Sequence, residues 1–113
     1  LAQLDAARKS LNEGSMIAAR DAYTRLAQRK DLDRAQLLEI GKGLNQTGTW
    51  QESAFAYQRT LPFRPGEEIH MFYEAVNRYE LGELSVARAL LSRALPALPK
   101  SREVLLYRPK IGQ

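Results

Sequence analysis

The chain contains one histidine and no cysteine. Nucleophilic catalysis needs a nucleophile, a base beside it and a group that orients the base. His70 is the only imidazole, and no partner pattern accompanies it, so it reads as an exposed residue without a role in a reaction. The carboxylates stand singly along the chain, and none pairs at a spacing that marks a glycosidase or a metal site. Lack of cysteine removes disulfides, thiolate chemistry and finger-type zinc sites together. Neither G-x-x-x-x-G-K-[ST] nor G-x-G-x-x-G occurs, so no loop is built to cradle a nucleotide. These residues predict neither an enzyme nor a cofactor. They leave recognition as the chemistry to look for.

Charge narrows the partners. There are 17 basic and 13 acidic residues, a net +4. The excess is spread, with 6 against 5 in residues 1–33, 4 against 3 in 34–67 and 7 against 5 in 68–113. A nucleic-acid footprint would be a block or stripe of cations, so nucleic acid is not an expected partner. No apolar run approaches the roughly 20 residues that span a bilayer, and no signal peptide is visible. Insertion into a membrane is therefore not expected, and a soluble protein of the cytoplasm or periplasm is. Arginine outnumbers lysine 12 to 5, which points to a GC-rich, bacterial source. The first residue is Leu1, the sign of a mature chain or an excised fragment.

The elements that position any site follow one interval. Gly14, Gly48 and Gly82 are evenly spaced, and Ala7, Gly41 and Ala75 keep the same step, as do Ala19, Ser53 and Ala87. Tyr23, Tyr57 and Leu91 repeat it, and so do Asp31, Pro65 and Pro99. Each period reads as two amphipathic helices joined by a glycine that takes positive φ at the first helix's end. Expected helices cover about 1–12, 16–29 and 34–46, then one after the Thr49 cap, then 67–81 and 84–95. Ser15, Asp33, Thr49 and Ser101 are expected N-caps. Trp50, Phe55 and Tyr57 load the fourth helix with apolar bulk. P-x-x-P occurs in 62–65 and 96–99, either as polyproline ligand or, much better supported by its fixed place in the repeat, as helix termination. The tail from Ser101 starts a further helix that Pro109 limits to about two turns.

With Leu37, Ile40-Gly41, Leu44, Ser53, Tyr57 and Pro65 in this order, the chain resembles the tetratricopeptide repeat family, whose unit is about 34 residues long. The resemblance covers three repeats, about 1–33, 34–67 and 68–100, in a single domain, with 101–113 as a cap or the start of another helix. It implies an all-α fold: a right-handed α-solenoid of three antiparallel helix pairs plus a short C-terminal helix. The resemblance also implies that the paired helices approach closest at Gly41, where only a small residue would fit, a contact that would offset the roughly 1 kcal/mol that a mid-helix glycine costs. Expected in the core are Ala7, Ala19, Tyr23, Leu37, Ile40, Gly41, Leu44, Ser53, Tyr57, Ala75, Ala87, Leu91 and Ala94.

The resemblance also implies a concave groove lined by the first helix of each repeat. Its positions fall here on Leu1, Leu4, Arg8 and Leu11, then Ala35, Leu38, Lys42 and Asn45, then Ile69, Phe72, Val76 and Tyr79, with Asn12 and Gln46 beside them. Steps of three and four put each quartet on one helical face. Leu4, Leu38 and Val76 stand where family members that clamp chaperone tails carry polar groups, so that activity is not implied. Arg8, Lys42 and Asn45 remain able to engage carboxylates or a peptide backbone. Ile69, Phe72, Val76 and Tyr79 form an apolar stripe, either a binding surface or a buried face; Glu74 and Arg78 pair at a margin. The resemblance implies a protein-binding adaptor whose groove takes a peptide or an amphipathic helix with acidic flanks. The alternative is a structural spacer or self-associating segment of a longer array, which would make a homo-oligomer.

Overall fold

Three helices end in the same way, once in each repeat. The N–H of Ser15 donates to the Ser10 carbonyl, that of Thr49 to Leu44 and that of Glu83 to Arg78, at 2.9, 2.9 and 2.8 Å. One residue earlier, Gly14, Gly48 and Gly82 donate to Leu11, Asn45 and Tyr79. Paired bonds of this kind close a helix only around a residue at positive φ, and the three glycines have φ of 78°, 73° and 83°.

The computed structural model describes residues 1–112 and is all-helical, with no strand among the described residues. Its helices are α1 (Ala2–Asn12), α2 (Met16–Ala27), α3 (Arg34–Gln46), α4 (Trp50–Gln58), α5 (Glu68–Glu80), α6 (Leu84–Ala94) and α7 (Arg102–Ile111). A 3-10 turn, Leu95–Ala97, follows α6. By their contacts they fall into two units, residues 1–61 and 62–113.

In the first unit α1 packs on α2 and α3 on α4, while α3 also rests on α1 and α2. The core joins Leu4 and Ala7 of α1, Ala19, Tyr23 and Leu26 of α2, Ile40 and Leu44 of α3 and Ala56 of α4. Asp33 starts α3 through a capping box. Its carboxylate accepts from the Gln36 N–H at 2.8 Å, and the Gln36 side chain accepts from the Asp33 N–H at 2.9 Å. Arg59, just past α4, donates to the carbonyls of Ala27 and Arg29 at 3.0 and 2.8 Å. A cation thus meets the negative end of α2.

In the second unit α5 packs on α6, and α7 packs on both. Met71, Phe72, Tyr73, Ala75, Val76, Ala87, Leu91, Ala94, Val104 and Ile111 are buried. The Ser101 hydroxyl caps α7, accepting from the Val104 N–H at 3.2 Å.

All the residues expected in the core are buried. Other expectations need correcting. Pro109 does not limit the last helix to two turns; α7 continues to Ile111. A proline in the last turn removes a single N–H, and its fixed φ is helical. Glu74 is not at a margin but buried, and Phe55 is exposed rather than part of the α4 core payload. Ser15 and Thr49 occupy their cap positions, yet neither side chain closes the cap; the Thr49 hydroxyl lies 3.0 Å from that of Thr47.

Candidate functional site

The first unit carries the polar part of the expected groove. On α1, Arg8 and Asn12 are exposed, Leu11 is half-buried and Leu4 is buried. On α3, Lys42 is exposed while Leu38 and Asn45 are buried. The two helices are joined across this face by Arg8, whose Nε and Nη2 donate to the two oxygens of Glu39 at 2.5 and 2.8 Å. Its Nη1 donates to Asp5 at 3.1 Å. Hydrogen bonds and charge from Glu39 hold the guanidinium in its charged form. Arg8 is therefore a committed cation. Lys42 is the exposed cation beside it that makes no ion pair among the described residues.

Beneath this face the helices meet through glycine. The Tyr57 ring of α4 covers Gly41, where an added Cβ would stand 2.8 Å from it, and the Tyr23 ring of α2 lies still closer to Gly43. The Ser53 hydroxyl donates to the Gly41 carbonyl at 2.6 Å. These contacts fix where α3, and so Lys42, sits relative to its neighbours.

The second unit carries the apolar stripe. Phe72 and Val76 are buried, and Ile69 and Tyr79 are half-buried. Tyr79 meets Tyr107 of α7 edge-on, with ring centroids 6.1 Å apart. The Tyr107 hydroxyl donates to Glu80 at 3.2 Å, and Lys110 lies over the Tyr107 ring at 5.3 Å. The stripe thus contributes two side chains to the interior and one to the α5–α7 contact. Glu74, on the same helix, accepts from Asn77 at 3.0 Å and from Arg78 at 3.1 and 3.2 Å. Arg78 also bonds Glu83 at the start of α6 at 2.7 Å. Burial raises the Glu74 pKa, and the bonds from Asn77 and Arg78 only partly offset it.

His70 is half-buried rather than exposed, its ring 6.1 Å from that of Tyr73. Burial, with a contribution from Glu103, pushes the Tyr73 phenol up to about 12. Burial likewise raises Tyr23 and Tyr107, so none of the three supplies a phenolate base near neutrality. No cluster of His, Cys, Asp or Glu among the described residues is placed to hold a metal ion. Among the described residues no helix is long and apolar enough to cross a membrane.

Sequence reasoning found the cations of the α1–α3 face and missed Glu39, the main partner of Arg8. The repeat equivalent of Arg8 is Lys42, and Glu39 precedes Lys42 by one helical turn. That spacing was the available signal. Comparison with protein-family models, with curated proteins and with solved structures gives no match.

Proposed function

We propose that this chain is a protein-binding module of the tetratricopeptide type, a solenoid of three helix pairs that takes a peptide or amphipathic helix on the face carrying Arg8, Asn12 and Lys42. One observation carries the reading: the helix–turn–helix unit recurs at a constant interval with the same pair of turn hydrogen bonds. A repeated unit of this kind presents its first helices side by side as a surface, and polar groups on that surface select a ligand. Lys42 and the edge of the Arg8–Glu39 pair favour a ligand with carboxylates flanking its apolar residues.

The test is a titration of isotope-labelled protein with a short amphipathic peptide bearing acidic flanks. Chemical-shift changes should concentrate on α1 and α3, and Lys42→Glu should weaken the affinity several-fold. Shifts confined to other helices, or none at all, reject the site.

A second reading, a spacer or self-associating segment of a longer array, draws support from α7. It begins at Arg102, one full period after α5 begins at Glu68, so the period runs on past the third pair. Sedimentation tests its self-associating form, since concentration-dependent association belongs to that form alone.

A further inference from the structure

One buried side chain of the first unit ends in a polar group that the fold leaves unused. Tyr23 of α2 is 1% exposed, and its ring lies against α3 at Gly43, in the space that a side chain there would fill. A buried tyrosine ordinarily finds a partner for its hydroxyl inside the protein. The Tyr23 hydroxyl makes no hydrogen bond to any described residue. Among the described residues no enclosed polar side-chain atom is left without a partner, so this hydroxyl, having none, is an atom that water reaches.

The opening lies on the α1–α3 face. Gly43 follows Glu39 by one helical turn, so the ring against Gly43 points its hydroxyl to the side of α3 that carries Glu39. The charges of Glu39 and Arg8 both act on the phenol. Neither of them bonds it, because Arg8 takes both Glu39 oxygens and gives its remaining edge to Asp5. Burial, with a contribution from Glu39, raises the Tyr23 pKa, so the hydroxyl keeps its proton and stands there as a donor. Since Gly43 has no side chain, α2 supplies from behind the polar group that this point of the surface presents.

We propose that Tyr23 is a specificity-determining residue of the α1–α3 face, its hydroxyl donating to a main-chain carbonyl of an extended peptide that crosses α3 at Gly43. The proposal rests on the reading of that face as a peptide site and narrows the ligand it takes. The acceptor is neutral because a carboxylate at this point would stand against Glu39, whose charge Arg8 already balances while also serving Asp5. Acidic side chains of the ligand go instead to Lys42, which has no carboxylate partner. The peptide is extended because a helix spends its carbonyls on its own N–H groups, apart from those of its last turn. An extended segment carries its carbonyls unpaired. On binding, such a carbonyl replaces the water at the Tyr23 hydroxyl, an exchange that costs the fold nothing, since no internal bond is broken.

The test uses Tyr23→Phe, which keeps the ring on Gly43 and removes only the hydroxyl. The probes are a fluorescent linear peptide with an apolar centre and acidic flanks, and a stapled, helical peptide of the same sequence. The linear peptide should bind the unaltered chain several-fold more tightly than the stapled one, and Tyr23→Phe should weaken it several-fold. The stapled peptide should bind both proteins alike. The urea midpoint of Tyr23→Phe should match that of the unaltered chain, because the hydroxyl has no bond within the fold to lose. Three results overturn the proposal: linear-peptide affinity that Tyr23→Phe leaves unchanged, a urea midpoint that falls, or tighter binding of the stapled peptide. Lys42→Glu separates this failure from that of the face. If it weakens the linear peptide and Tyr23→Phe does not, the face stands and the role of the hydroxyl is lost. If neither peptide binds, or Lys42→Glu has no effect, the face and the hydroxyl's role are rejected together.

Discussion

The hydroxyl of Ser53 donates to the carbonyl of Gly41 at 2.6 Å, across the contact between α3 and α4. That distance requires the two helices to approach within reach of a two-atom side chain, and the Tyr57 ring closes the same gap one turn on. A larger residue at position 41 has nowhere to go, because the obstacle is a buried ring held by both helices. Gly41→Leu should cost about 1–3 kcal/mol or more in urea unfolding. Ser53→Ala, which removes only the donor, should cost about 0.5–1.5 kcal/mol. A loss below about 0.5 kcal/mol for Gly41→Leu would mean that α4 moves aside freely.

What the sequence disclosed was whatever the period repeats. Gly41 has Ala7 and Ala75 as counterparts, so its role was visible, whereas Gly43 has Lys9 and Asn77 and nothing marked it as the seat of Tyr23. The α1–α3 cations were legible from helical spacing, but their pairing was not, because spacing within a helix is silent about the next helix. Glu74 was misjudged for a related reason: an i, i+4 partner in Arg78 is equally available at a surface and in an interior. Pro109 was overweighted, since a proline breaks a helix when a turn precedes it on the same helix and also follows it, and only Lys110 and Ile111 follow it in α7.

Glu74 predicts a pH dependence. Burial raises its pKa in the folded chain above the unfolded value of about 4.3. The folded state therefore holds the proton more tightly. The resulting stabilisation is full below the ordinary glutamate pKa and is lost as pH rises from there through the raised folded value. Glu74→Gln stays neutral at every pH while keeping an oxygen for Arg78, so it should flatten the decline. Urea midpoints at pH 4, 5, 6 and 7 for both proteins give the comparison. Parallel curves would show that another group is responsible.

The apolar stripe on α5 answers to stability. Phe72 is 1% exposed, so truncating it leaves a cavity in addition to losing the transfer of the ring. Phe72→Ala should cost about 3–5 kcal/mol. Tyr79→Ala should cost less, because Tyr79 is half-buried and meets the ring of Tyr107 edge-on. The double variant is expected to lose helicity by circular dichroism. Retained helicity together with lost peptide binding would instead place the stripe on a binding surface.

Glu39 predicts a gain of binding. Arg8 is held by the two Glu39 oxygens at 2.5 and 2.8 Å, which occupy the guanidinium edge that an incoming carboxylate would use. Glu39 thus competes internally with any acidic ligand on the α1–α3 face. Glu39→Gln removes the competing charge while keeping the side chain's shape, leaving Arg8 beside Lys42 with only the weaker tie to Asp5. Arg8 and Lys42 then present two cations to the ligand instead of one. An acidic-flanked peptide should bind several-fold more tightly to Glu39→Gln than to the unaltered chain, with a steeper loss of affinity as salt is raised. Adding Arg8→Gln to that variant should erase the gain. A gain that survives the second substitution would show that Arg8 takes no part, and the face would then rest on Lys42 alone.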